Sequence, residues 1–129
     1  LDLLQQLQRE YDLGYLFISH DLSVVEAMSH RIAVMYLGTI VEMGSAEQVM
    51  QTPWHPYTEA LLAAVPRITE QGDVLPIQAL SGEPPSPKNI PSGCRFRARC
   101  PLATQECAEK EPTLVEKSPG HFVACHYRP

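Results

Sequence analysis

Apolar side chains recur at helical spacing over the first thirteen residues, with Leu3, Leu4, Leu7 and Tyr11 on one face. The pattern predicts a helix over residues 1–13, closed by Gly14 in the place of a helix C-terminal glycine. Tyr15 to Ser19 follows as a short, mostly apolar run, which predicts a strand buried on both faces of a parallel sheet. Asp21 is placed to cap a second helix whose inner side carries Leu22, Val25 and Met28. Ile32 to Leu37 reads as another strand, Gly38-Thr39 as a tight turn, and Ile40 to Met43 as the returning strand. Ser45 and Gln48 have the spacing of a capping box and open a short helix ending near Thr52. This order predicts the α/β class, with a βαβ unit in a mostly parallel sheet followed by a hairpin. So few strands make a poor closed domain, and the first fifty residues read like the final third of a larger α/β domain.

The pattern then changes. Pro56 suits the first turn of a helix with Tyr57, Leu61, Leu62 and Val65 on its apolar face, and Pro66 ends it. Residues 67–93 read as mostly irregular, with a strand over Val74 to Leu80 and an extended linker from Ser81 to Pro87. Pro101 is expected to start a last helix reaching about Lys110, with loop beyond it. Composition shifts at the same place. All twelve prolines lie at or after Pro53 and all four cysteines at or after Cys94. Residues 1–50 carry seven acidic and two basic side chains, a net of −5, whereas residues 51–129 carry eight of each. The expected organisation is therefore an α/β segment over 1–52, a helix and connector over 53–80, and a linker with a cysteine-bearing tail over 81–129.

The total charge of −5 argues against a broad nucleic-acid-binding surface. No run of eighteen apolar residues is present, so no membrane-spanning helix is expected. No basic region precedes an apolar core at the N-terminus, which makes the cytoplasm the default compartment, where disulfides are rare.

The sharpest motif of the first half is Leu16-Phe17-Ile18-Ser19-His20-Asp21-Leu22, an apolar run, a polar triplet and a helix start. Ligands of open α/β sheets sit beyond the carboxyl ends of the strands, so His20 is a candidate for contact with a phosphate oxygen. Position alone fits equally well a histidine closing the sheet edge, with Asp21 as an ordinary helix cap. Three consecutive residues cannot form a hydrolytic triad, because triads assemble in space.

Phe17 to Val25 resembles the switch-histidine segment of ABC-type ATPases, and the resemblance continues in register from His30 to Gly44. It implies the C-terminal part of a RecA-like ATPase core, with His20 contacting the γ-phosphate of ATP held between two ATPase subunits. Asp21 receives no chemical role. No glycine-rich phosphate loop ending in Gly-Lys-Ser/Thr is present, nor a strand-end catalytic carboxylate, nor the signature helix. In the family's order these elements come before residue 1. One histidine cannot supply the positioning, metal ion and charge stabilisation of phosphoryl transfer, so the chain alone is expected not to hydrolyse ATP.

Trp54-His55-Pro56-Tyr57 resembles the His-Pro-Tyr motif that follows the core in ATP-binding subunits of dipeptide, oligopeptide and nickel importers. By residue chemistry His55 is a packed or capping histidine rather than a metal ligand, and Tyr57 an aromatic anchor. The resemblance implies an ATPase partner, membrane permeases, and a peripheral place on the cytoplasmic face of the inner membrane. It also implies peptides or a related solute as cargo, chosen elsewhere.

Cys94, Cys100, Cys107 and Cys125 are separated by five, six and seventeen residues. Zinc sites favour closer pairs, an iron–sulfur cluster tolerates wider spacing, and free buried thiols are the plain alternative; spacing leaves all three open. Gly93 allows a close backbone approach beside Cys94, and Cys100-Pro101 is expected to put a thiolate at a helix N-terminus. Arg95, Arg97 and Arg99 could offset an anionic cluster or form a solvated basic loop. Gly93 to Phe96, Arg99 to Ala103, Cys107, Pro112, Gly120-His121 and Val123 to His126 resemble the tail of this importer subfamily, which holds a 4Fe–4S cluster in some members. The resemblance implies Cys94, Cys100, Cys107 and Cys125 as ligands, with zinc as the runner-up metal. His121 and His126 are expected at the surface. A self-standing metal-binding module is the competing reading of the chain. A hydrolase using Ser19 or a cysteine ranks last, because no base, orienter and oxyanion group fall at suitable positions.

Overall fold

The structure, a computed structural model, describes residues 1–65, 80 and 82–127. Helix α1 spans Asp2–Tyr11 and α2 spans Leu22–Met28, where the Asp21 carboxylate accepts the backbone N–H groups of Ser23 and Val24. Strand β1 (Arg31–Tyr36) turns through Leu37-Gly38 into β2 (Thr39–Ser45). Helix α3 (Ala46–Gln51) opens on a complete capping box, with the Gln48 N–H donating to Ser45 Oγ and the Ser45 N–H donating to Gln48 Oε1. Helix α4 (Pro56–Ala63) starts at a proline and is capped by the His55 ring. A 3₁₀ turn over Arg97–Arg99 precedes α5 (Gln105–Glu109), β3 (Val115–Ser118) and β4 (His121–Val123).

Among the described residues four strands form one sheet in the order β1-β2-β4-β3, with every pairing antiparallel. This corrects the expected parallel sheet. Residues 115–123 make a hairpin where loop was expected, and that hairpin extends the β1–β2 hairpin by pairing Glu42 with Val123 and Met43 with Phe122. The sheet is thus built from two segments separated by residues 46–114.

One face of β1 is apolar and buried through Ile32, Val34 and Tyr36, while Arg31, Ala33 and Met35 face outward. With Val41, Val49 and Phe96 these residues form the core, and Val25, Tyr57, Leu61, Leu80, Cys94 and Cys100 pack around it. Tyr36, Tyr57 and Phe96 meet edge-on or tilted at centroid distances of 4.7 to 5.3 Å.

Three local expectations also need correction. Tyr15 to Ser19 is not a strand: Leu16 is 93% exposed and Ile18 91%. A parallel strand needs a neighbour to receive its N–H and C=O groups, and among the described residues none pairs with this run. Helix α1 closes at Asp12 in the left-handed region, φ 51°, ahead of Gly14. The last helix begins at Gln105 rather than Pro101. The strand expected from Val74 falls on residues 74–79, outside the described residues.

Candidate functional site

His20 lies in the exposed stretch between α1 and α2, next to the Asp21 cap. The Asp21 carboxylate is held below its usual range by the Ser23 hydroxyl and the Val24 N–H, with a smaller contribution from His20. Neither α1 nor α2 contains a buried residue, although Val25 of α2 packs on the edge of the core.

The tail is different. Its four cysteines are free thiols, with Cys107 buried and the other three half-buried. The Cys94 N–H donates to the Cys107 carbonyl at 2.7 Å. Gly93 sits at φ 67°, and a Cβ there would lie 2.3 Å from the Cys107 carbonyl oxygen. The close approach expected of this glycine is what lets the two cysteine segments touch. Burial is the main cause that pushes the Cys94 and Cys100 thiols up, opposed by N–H groups of Phe96 and Arg97 at Cys94 and of Leu102 at Cys100. Repulsion from Cys107 and Cys125 adds to the rise at Cys94, and repulsion from the other three thiols at Cys100. Among the described residues, however, no three His, Cys, Asp or Glu side chains are gathered so as to hold one metal ion.

Cys100 terminates the 3₁₀ turn and lies ahead of α5, so the expected helix N-terminus is not behind its thiol. Two of the three arginines tie down loop carbonyls rather than facing the sulfurs. Arg95 donates to the Leu37 carbonyl and pairs with Glu111 at 3.3 Å, and Arg97 donates to the carbonyls of Ser92 and Ala108.

Sequence reasoning missed a buried polar node joining this tail to the sheet. Glu42, in the middle of β2, is fully buried. Its Oε1 accepts the Trp54 N–H at 2.8 Å and lies 2.7 Å from His121 Nε2; its Oε2 accepts the His55 N–H at 2.9 Å. Burying a carboxylate is costly unless it is fully hydrogen-bonded, and this one gathers three donors from two distant segments. His121 is 1% exposed, which corrects its expected surface position, whereas His126 stays half-buried with Nε2 2.9 Å from the Lys110 carbonyl. The signal available in the sequence was an acid, Glu42, flanked by Val41 and Met43 inside an otherwise apolar strand.

His55 stands at the centre of the node, 1% exposed. Its Nδ1 accepts the Tyr57 N–H at 3.1 Å, as the expected capping role requires, so in the neutral ring Nε2 carries the proton. Burial pulls His55 down to about 4, against the opposing influence of the Glu42 carboxylate and a polar contact with Ala124. The ring also lies 5.7 Å from Phe96. A cleft of about 500 Å³ beside it is lined by His55, Cys94, Phe96, Val41, Leu114 and Ala124, among others. No helix among the described residues is long and apolar enough to cross a membrane.

Residues 41–107 match the model of a family described as the oligopeptide/dipeptide transporter C-terminal region. The chain is 49% identical over 127 residues to the oligopeptide transport ATP-binding protein AppF of Bacillus subtilis, covering 98% of this chain and 39% of that protein. It is 52% identical over 128 residues to OppF of Salmonella typhimurium, also an oligopeptide transport ATP-binding protein, covering 97% and 37%. Against the dipeptide transport ATP-binding protein DppF of Haemophilus influenzae the identity is 47% over 127 residues, covering 98% and 38%. The chain thus spans well under half the length of these relatives.

Proposed function

This chain belongs to the oligopeptide/dipeptide transporter C-terminal-region family, and from that premise we propose that it is the C-terminal region of the ATP-binding subunit of a peptide-type ABC importer. The observation that carries the reading is identity of about half to peptide-transport ATP-binding proteins over nearly the whole chain. The subunit works at the cytoplasmic face of the inner membrane with a second ATPase subunit and membrane permeases. His20 reads the γ-phosphate of ATP there, at the junction between the two ATPase subunits. Its open surroundings in this chain suit a residue whose partners lie elsewhere. In the assembled transporter, His20→Ala should lower ATP turnover by about 10²–10³, the loss typical of one positioned electrostatic contact. Residues 1–129 alone should show none above background. Unchanged turnover in the variant transporter would remove His20 from the mechanism.

Within the same proposal the tail holds a 4Fe–4S cluster on Cys94, Cys100, Cys107 and Cys125. What supports the reading is the set of four free thiols in the tail, Cys107 buried and the other three half-buried. A single zinc ion needs every sulfur about 2.3 Å away. The cluster would supply a staple for loops that bury little core of their own. Anaerobic purification should give a brown protein with about four irons and matching sulfide per chain. Stoichiometric zinc without sulfide would establish the runner-up instead. A self-standing metal module fits less well, because Phe96 of the tail is part of the core formed by β1 and β2.

A further inference from the structure

The β3–β4 hairpin lies far from α3 in sequence, and one side chain carries the polar contact between them. Strand β4 meets β2 at two register pairs, Glu42 with Val123 and Met43 with Phe122, and the Ala124 N–H donates to the Val41 carbonyl at 2.8 Å. The turn of the hairpin, Pro119-Gly120, instead faces α3 across an open cleft of about 610 Å³ lined by Ser45, Glu47 and both turn residues, among others. Gln48 bridges this cleft, its Nε2 donating to the Pro119 carbonyl at 3.1 Å. Among the described residues no other hydrogen bond joins α3 to that turn. The other end of the same amide is already engaged, because Oε1 accepts the Ser45 N–H at 2.9 Å in the capping box. A Cβ at Gly44 would lie 3.1 Å from Gln48 Oε1 and 3.1 Å from His121 Cδ2, so this glycine lets both side chains close on β2. The next amide, the Ala46 N–H, donates to the His30 carbonyl at 3.0 Å, which ties the start of α3 to the residues that follow α2.

We propose that Gln48 is a catch that couples docking of the β3–β4 hairpin to the capped start of α3, so that a pull on the tail is felt at the Ser45 and Ala46 amides. A carboxamide is fitted for this, since it accepts at Oε1 and donates at Nε2 from one planar group. A turn that moves away must either break the Pro119 contact or rotate the group and weaken its hold on Ser45. The hairpin can move in this way as a unit. Its own strands pair at three register positions against two that join it to β2, and Glu116 Oε1 closes the turn by accepting the Gly120 N–H at 2.8 Å. Lifting it does not orphan Glu42, whose carboxylate keeps the Trp54 and His55 N–H groups. The catch goes beyond the function proposed above and does not depend on it. In that reading the line leads on to α2, whose cap Asp21 follows His20.

Two substitutions test the coupling as a cycle. Gln48→Glu keeps the capping box, because a carboxylate also accepts the Ser45 N–H, but it cannot donate to the Pro119 carbonyl. Glu116→Ala, at an exposed residue, removes the acceptor that closes the turn. Amide hydrogen exchange of the full chain is followed by NMR for the wild type, both single variants and the double variant. Glu116→Ala should speed exchange at Ser45 and Ala46 about threefold when Gln48 is present, the scale of weakening one hydrogen bond. In the Gln48→Glu background the same substitution should leave these two amides unchanged, while the Ala124 amide of the hairpin still exchanges faster. Such dependence on the background measures an interaction between the two sites, which a purely local role for either residue would not produce. Equal acceleration of Ser45 and Ala46 in both backgrounds, or none in either, would overturn the assignment.

Discussion

Residues 1–30 and residues 31–127 both fall within the span matched to the same relatives, yet they behave differently in this fold. The first region is rich in apolar side chains, but none of its residues is buried. The second buries Ile32, Val34, Tyr36, Val41, Val49 and Phe96 in a common core and closes a sheet across the whole sequence. The lesson is that a sharp motif and a stable local fold are separate properties. His20 sits in the sharper motif and the weaker structure. The cysteine tail sits in the looser sequence and the better-packed structure, because Phe96 and β4 borrow the core of the β1–β2 hairpin.

The contrast can be broken experimentally, starting with its strongest member. Phe96→Ala should destabilise the protein by about 3–5 kcal/mol, since it empties a fully buried aromatic site. Urea unfolding of the purified protein measures this, and a loss below about 1 kcal/mol would mean the tail is not part of the core. Next comes Glu42→Ala, which leaves two N–H groups and the buried His121 without their carboxylate. About 3 kcal/mol should be lost by the same measurement, the scale expected when one partner of a buried polar network is removed.

A smaller effect follows from His55. Its folded value of about 4 lies below the ordinary 6.5, so the unfolded chain binds the extra proton more readily. The stability it contributes is fully present above pH 6.5 and is lost as pH falls from 6.5 towards 4. The loss is on the order of 3 kcal/mol at its limit and roughly half of that near pH 5. Urea midpoints across this range should fall in the wild type and fall less in His55→Asn. The smallest expected change sharpens the comparison from the other side. Ile18→Thr, at a residue 91% exposed, should alter stability by no more than about 0.5 kcal/mol. A loss of several times that size would show that residues 15–19 are packed after all.

Local chemistry was well read from the sequence. The Asp21 cap, the Ser45–Gln48 capping box, the β1–β2 turn, the His55-Pro56 helix start and the tight passage at Gly93 all stand where residue type demanded them. Each depends on neighbours only a few residues away, or on the one backbone conformation that glycine accepts. Non-local partners were not legible. Tyr15 to Ser19 has strand composition, but a strand is made by its neighbour, and none pairs with it among the described residues. Residues 115–123 look like loop because their alternation is short, and they became strands by pairing with each other and, through Phe122 and Val123, with Met43 and Glu42.

The candidate site divides along the same line. The sequence by itself determined the family, the Ser19-His20-Asp21 motif, the His-Pro-Tyr turn and the presence of four thiols, since these are properties of residues and their spacing. Only the tertiary structure decided that Glu42 is buried and that His55 and His121 converge on it. A buried carboxylate is tolerable only where donors close around it, and here those donors come from residues 12, 13 and 79 positions away. No local pattern encodes such a meeting. It exists because the core brings β2, the turn before α4 and β4 to one place.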